Sequence, residues 1–196
     1  MSTKKIAVMA SGRGSNLQAL LEAFPPNHEP AEIALVISNK PTAYALERAR
    51  NAGVQAVYIP WKKGGQLEFE TQAQHLLEDS QIDLICLAGF MRLLSSEFTK
   101  RWTDKMLNIH PSLLPKFKGL EAHKQALEAG ERFTGATVRF VDAGLDSGEI
   151  VLQDQLEILS EDTVASLCER LLLLEHALYP EAVRRVLERG FQNNRS

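Results

Sequence analysis

In Asn108-Ile109-His110-Pro111-Ser112-Leu113-Leu114-Pro115, an amide and an imidazole stand two residues apart at the end of a short apolar run. Read as a strand, that run sends side chains two apart to the same face. Asn108 and His110 then converge at the strand's C-terminal end. Pro111 cannot donate to a sheet ladder and biases His110 toward extended backbone, so the strand stops there with its last polar side chains presented. An amide donor beside a titratable imidazole suits a reaction that builds negative charge on oxygen while a proton moves. A lone histidine is more often structural. The same-face amide, the strand-end position and the proline stop favour catalysis here. Ser112 follows His110 closely, but backbone direction and Pro111 make it a poor nucleophile for that base.

Four further stretches could hold a ligand. Ser11-Gly12-Arg13-Gly14-Ser15-Asn16 lies between an apolar run and a helical pattern. Its glycines permit positive φ, and the amides of Gly14, Ser15 and Asn16 could meet an anion at a helix N-terminus. The plainer alternative is a strand–helix turn capped by Ser15 or Asn16. The third glycine of a dinucleotide fingerprint would fall at Leu17, and no Gly-Lys-Ser/Thr is present, so a phosphomonoester suits the loop better than either nucleotide class. Ala88-Gly89-Phe90-Met91-Arg92-Leu93-Leu94 follows another apolar run. Apolar groups there line a ligand pocket in open α/β sheets, or else they tuck into the core. Asp142-Ala143-Gly144-Leu145-Asp146-Ser147-Gly148 puts two carboxylates in one loop and reads alone as a polar hairpin turn. Leu172-Leu173-Leu174-Glu175-His176 reads alone as a helix with a polar end. Cys86, Trp61, Trp102 and Arg184-Arg185 read as structural or solvated.

The elements that must position these residues alternate. Short, mainly apolar runs at Ile6–Ala10, Ile33–Ile37, Val54–Ile59, Ile82–Ala88 and Met106–Ile109 predict strands. Helical spacing over Asn16–Phe24, Ala43–Ala52 and Leu67–Leu77 predicts the helices between them, with Pro25-Pro26 ending the first and Gly53 capping the second. Strands apolar throughout and alternating with helices argue for a parallel sheet covered on both faces. Beyond them, Ala136–Val141 and Ile150–Ile158 predict an antiparallel strand pair. Thr163–Leu187 is one long helical pattern, with Val164, Leu167, Leu171, Leu174 and Leu178 on one face and Pro180 as a candidate kink.

A chain of 196 residues can bury the core of one α/β domain. The net charge is −3, which argues against wholesale nucleic-acid or anionic-membrane binding. An anionic small substrate must then be held by local donors. No signal-peptide pattern or bilayer-length apolar run is present, and two thiols in apolar segments suggest a reducing cytosol, so a cytoplasmic enzyme is expected. Neither cysteine has metal-ligand spacing.

The Asn108–Pro115 octapeptide, combined with Leu145-Asp146-x-Gly downstream, resembles the folate-dependent formyltransferases that use 10-formyltetrahydrofolate. The likeness runs from about Lys5 to Phe191. It is strongest toward the branch that formylates the glycine amine of glycinamide ribonucleotide in purine biosynthesis. The resemblance implies a Rossmann-like, mostly parallel twisted sheet with helices on both faces, an antiparallel strand near the C-terminus and a long closing helix. It implies a single domain over residues 1–196, with about 1–100 for the ribonucleotide and about 101–196 for folate and catalysis. It implies Asn108, His110 and Asp146 as the catalytic trio, with Asp146 as the carboxylate that charges His110 and relays a proton through water. It assigns Arg13, Gly14, Ser15, Asn16 and Glu175 to the phosphate and ribose of the ribonucleotide. It assigns Met91, Arg92, Leu93, Leu94, Asn108, Val141, Asp142 and Asp146 to the folate. Many relatives carry a polar residue where this chain has Leu172, a departure that Arg13 could offset. The resemblance implies 10-formyltetrahydrofolate as co-substrate, no metal, no nucleic-acid or membrane partner, and a monomer or homodimer. Its nearest alternative is a formyltetrahydrofolate hydrolase, whose extra N-terminal regulatory domain has no room before Ile6. A methionyl-tRNA formyltransferase would need an additional C-terminal domain. A non-catalytic sensor of a phosphorylated metabolite would need no catalytic trio.

Overall fold

The structure is a computed structural model that describes residues 2–193 apart from 143, 145 and 146. Seven strands form one sheet in the order β3-β2-β1-β4-β5-β6-β7. By internal contacts the chain divides into residues 1–107 and 108–196.

In the first unit, β1 (Lys4–Met9) pairs in parallel with β2 (Ala31–Ser38) on one side and β4 (Leu84–Leu87) on the other. β2 pairs in parallel with β3 (Gln55–Tyr58), whose partly exposed residues suit its place at the sheet edge. Ile6, Ala7, Val8 and Met9 are fully buried, as are Leu35, Val36 and Ile37. Both faces of these strands are therefore covered, which is why their sequence is apolar without alternation. Helices α1 (Ser15–Ala23) and α2 (Tyr44–Asn51) follow β1 and β2 and pack on each other and on β2. Helix α3 (Gln66–Asp79) follows β3 and leads back across β1 to β4. Right-handed crossovers in opposite directions put α3 on the face away from α1 and α2. The reversal falls between β1 and β4, the switch point where open α/β sheets bind ligands beyond their strand ends.

One short helix in this unit escaped the sequence reading: α4 (Ser96–Arg101). Its six residues are too few for a periodic pattern. The Ser95 hydroxyl caps it by accepting the Phe98 N–H at 3.1 Å. The buried carboxylate of Glu70 in turn takes the Ser95 N–H and hydroxyl, each at 2.6 Å.

β5 (Met106–His110) begins in the first unit and ends in the second. In the second unit, β6 (Phe133–Phe140) and β7 (Ile150–Glu157) pair antiparallel, from Phe133 opposite Glu157 to Arg139 opposite Ile150. The seven-residue α5 (Ala122–Glu128), also missed, packs on β6 and on α6 (Val164–Asn193). α6 lies against β6 and β7, and Leu167, Leu171 and Leu178 of its predicted face are buried. Val164 is exposed where the pattern put it inside, because it opens the helix. Pro180 sits within the helix. The entry to α6 is tied off by Asp162, which accepts the Leu159 N–H and the Ser166 hydroxyl at 2.8 Å and pairs with Arg170 at 2.5 Å. The Leu159 N–H does most to hold the Asp162 carboxyl below its ordinary range, and Ser166 and Arg170 add to it.

Candidate active site

The anion-binding loop is held from behind. Gly14 takes φ +70°, and a Cβ there would stand 2.9 Å from Cα and Cβ of Ala45. Only glycine satisfies both the backbone and the close approach. The Ala45 N–H donates to the Gly12 carbonyl at 3.1 Å, and Arg48 Nε donates to the Arg13 carbonyl at 2.9 Å. Arg48 also reaches Gln18 at 3.0 Å and lies over the Tyr44 ring. The loop's carbonyls are thereby bonded to α2, while the Ser15 and Asn16 amides belong to the first turn of α1, where N–H groups lack intrahelical acceptors. The plainer alternative from the sequence is a turn capped by Ser15 or Asn16. The structure corrects this: Gly14 is the N-cap, in the left-handed region, and no side chain caps the helix. A helix start left to backbone amides alone favours an anion there. Arg13 is exposed on the loop.

Ser11 is the junction of this unit. Its buried hydroxyl donates to Asn39 Oδ1 at 2.6 Å and accepts the Met91 N–H at 2.8 Å. Its own N–H donates to the Gly89 carbonyl at 3.1 Å. The loop after β1 and the loop after β4 are thus bonded together at the switch point. Met91 and Leu93 are 62% and 75% exposed, so they do not tuck into the core. Apolar side chains held out beyond a strand end suit a flat apolar ligand. Phe90 stacks with Phe69, which also meets Trp61, and the Arg92 guanidinium lies 5.5 Å over Trp61. Trp61, read as merely structural, therefore orients Arg92. The Leu93 carbonyl accepts Gln66 Nε2 at 3.2 Å, and Leu94 is half-buried.

In the second unit, Asn108 is half-buried and His110 is 6% exposed, two residues apart on β5. His110 Nε2 meets the Phe117 carbonyl at 2.8 Å. The Ser112 hydroxyl donates to the Lys116 carbonyl at 2.7 Å, not to His110, in keeping with its exclusion as a nucleophile. Asp142 closes its own loop: it accepts the Gly144 N–H at 3.0 Å and the Ser147 hydroxyl at 2.9 Å. That is the polar-turn role its sequence suggested. Asp146 lies outside the described residues. Glu175 is 6% exposed on α6, one turn from the buried Leu171 and Leu178, and Leu172 is half-buried. A carboxylate on an apolar helix face is a site candidate in its own right. Burial, then the charges of Glu175 and Glu169, push the Cys168 thiol up, so it is not a reactive cysteine. Cys168 is half-buried, and neither cysteine is in a disulfide. Among the described residues no group of His, Cys, Asp and Glu could hold a metal ion, and no helix is long and apolar enough to cross a membrane.

Sequence reading overlooked Arg48 and Asn39, which hold the Arg13 carbonyl and the Ser11 hydroxyl from 35 and 28 residues away in the chain. Local spacing carries no signal for such partners.

The doubly wound α/β sheet, with loops bonded together beyond its strand ends in the first unit, places the chain in the class of open-sheet α/β proteins. More narrowly, the chain belongs to the formyl transferase family, which matches residues 4–183. It is 47% identical over 183 residues to the human trifunctional purine biosynthetic protein adenosine-3, covering 93% of this chain and 18% of that one. The chain thus spans about a fifth of the length of that relative. It is 43% identical to phosphoribosylglycinamide formyltransferase of Haemophilus influenzae, covering 92% of this chain and 86% of that one. The solved structure of glycinamide ribonucleotide transformylase 1 from Symbiobacterium toebii superposes with a TM-score of 0.87 at 44% identity, covering 93% and 86% of the two chains.

Proposed function

We propose that this protein transfers the formyl group of 10-formyltetrahydrofolate to the glycine amine of glycinamide ribonucleotide, giving formyl-glycinamide ribonucleotide and tetrahydrofolate. Family membership supports formyl transfer, and the names of relatives matched over most of their length support the acceptor. The observation that carries the chemistry is the pairing of Asn108 with His110 at the end of β5, with His110 Nε2 bonded to the Phe117 carbonyl.

The amine nitrogen attacks the formyl carbon, and a C–N bond forms as the carbonyl oxygen takes up negative charge. The Asn108 amide donates to that oxygen. A carbonyl can only accept, so the Nε2 hydrogen of His110 is committed to Phe117. The charged ring then has its second N–H at Nδ1, and that N–H stabilises the oxyanion. The intermediate collapses by breaking the bond to N10 of the folate, which gains a proton. That proton is the one the attacking amine loses, which Asp146 receives through water and passes on to N10. No enzyme nucleophile is needed, because the amine itself attacks. Arg13 and the Gly14, Ser15 and Asn16 amides hold the phosphate, and Glu175 holds the ribose. Residues 91–94, with Val141 and Asp142, grip the pterin. The protein acts in the cytoplasm, as a monomer or homodimer.

The test is folate release from 10-formyltetrahydrofolate with and without glycinamide ribonucleotide. Release only with the ribonucleotide, matched by formylated product, is expected. Equal release in water alone would make the protein a hydrolase. No release in either case would make it a binding protein.

A further inference from the structure

We propose that Gln153, exposed on β7, is a positioning residue for His110, and that it acts through a hydrogen-bonded frame which fixes the ring tautomer. This rests on the catalytic reading of His110.

The Phe117 carbonyl holds His110 with its hydrogen on Nε2, so the neutral ring takes up its proton at Nδ1. That assignment is only as firm as the carbonyl. Phe117 stands at φ +54°, in the left-handed region, where a bulky side chain is strained. The surroundings must therefore hold the turn. The Ser112 hydroxyl, fully buried, donates to the Lys116 carbonyl at 2.7 Å, and the Lys116 N–H donates to the Leu113 carbonyl at 3.1 Å. The Ser112 carbonyl accepts the hydroxyl of the buried Thr137 at 2.7 Å. Thr137 Oγ1 in turn accepts the Leu114 N–H at 3.2 Å and Gln153 Nε2 at 2.7 Å. Gln153 Nε2 also reaches the Leu114 carbonyl at 3.1 Å.

The direction of these bonds matters. A threonine hydroxyl has one hydrogen and two lone pairs. With both lone pairs engaged by Leu114 and Gln153, its hydrogen must go to Ser112. Gln153 thus orients the Thr137 hydroxyl and bonds the 111–117 loop directly, and that loop ends on the carbonyl that sets the tautomer. An exposed strand residue would otherwise be replaceable without consequence.

The experiment compares Gln153→Leu and Gln153→Glu with the wild-type full chain. The readouts are kcat and both KM values across pH, and the imidazole ¹⁵N resonances of His110. Leucine removes the donors. An ionised glutamate puts acceptors against the Leu114 carbonyl and the Thr137 oxygen. The expected result is a fall in kcat of about 3- to 10-fold in Gln153→Leu, the scale of one or two hydrogen bonds, and a larger fall in Gln153→Glu. KM values should hold, the pH midpoint of kcat should move, and the two ring nitrogens of neutral His110 should become more alike. Unchanged ¹⁵N resonances and an unchanged pH profile would overturn the proposal, even with a lower Tm. The ¹⁵N readout needs no turnover, so it separates failure of the frame from failure of the catalytic reading, which full activity of His110→Ala would reveal.

Discussion

Ser11 and Met91, eighty positions apart, are joined by a hydrogen bond of 2.8 Å from the Met91 N–H to the Ser11 hydroxyl. The same hydroxyl donates to Asn39, so one buried side chain fastens the loop after β1 to the loop after β4. Replacing Ser11 with alanine removes the acceptor of the Met91 N–H and the donor to the buried Asn39 amide, at a cost of about 1–3 kcal/mol. The expected outcome is a lower Tm and a raised KM for the formyl donor, whose proposed slot begins at Met91. A KM for the donor equal to wild type would separate Ser11 from that slot.

His110→Ala and Asp146→Asn should each lower turnover by about 10²–10⁴-fold, the range for a positioned acid–base group. Asn108→Ala should lower it by about 10²–10³-fold, as for loss of an oxyanion donor. His110→Ala also leaves the Phe117 carbonyl without its partner, so Tm should drop with it. Single-turnover formyl transfer at saturating substrates checks the three. Wild-type rates in any variant would remove its residue from the mechanism.

Arg48 supports the phosphate loop without belonging to it, through its bond to the Arg13 carbonyl. Arg48→Met should raise KM for glycinamide ribonucleotide and leave KM for the formyl donor unchanged. Arg13→Ala should act in the same direction if its side chain offsets the apolar Leu172. Titrating each variant with both substrates decides; equal effects on the two KM values would mean a general loosening of the unit.

Gly14→Ala combines a positive φ with a clash against Ala45. A loss of about 1–3 kcal/mol is expected, together with weakened phosphate binding. Denaturant unfolding gives the first and inorganic phosphate titration the second. A variant as stable as wild type would mean that the loop and α2 move apart freely.

Asp162 has a lowered carboxyl pKa in the folded protein. A depressed carboxylate contributes stability that is fully present above its unfolded pKa and is lost as pH falls through the folded value. Wild type should therefore lose stability on the acid side of the ordinary carboxylate range. In Asp162→Asn that share of the slope should vanish, so the two Tm curves should converge at low pH. Parallel curves would show that the carboxylate adds nothing to the entry of α6.

Much of the fold was legible because burial on both sides leaves a plain mark. Ile6–Ala10 and Ile33–Ile37 read as interior strands, and Leu167, Leu171 and Leu178 as the inner face of a helix, while Val164 and Leu174 of that same face are exposed and half-buried. The short α4 and α5 left no such mark, since six or seven residues hold less than two turns of periodicity. The place of Asn108 and His110 at the end of β5 was legible for the same local reason: alternation and a proline stop are properties of adjacent residues.

The sequence by itself determined where strands and helices form, which loops could meet an anion or an apolar ligand, and which two side chains share the end of β5. Tertiary structure alone decided that Ser11 meets Met91, that Arg48 braces Arg13, and that Gln153 and Thr137 stand behind Ser112. Periodicity records which side of a segment is apolar, whereas a hydrogen bond between distant residues depends on strand order and register. Those are set by the whole core closing at once, and no single segment records them.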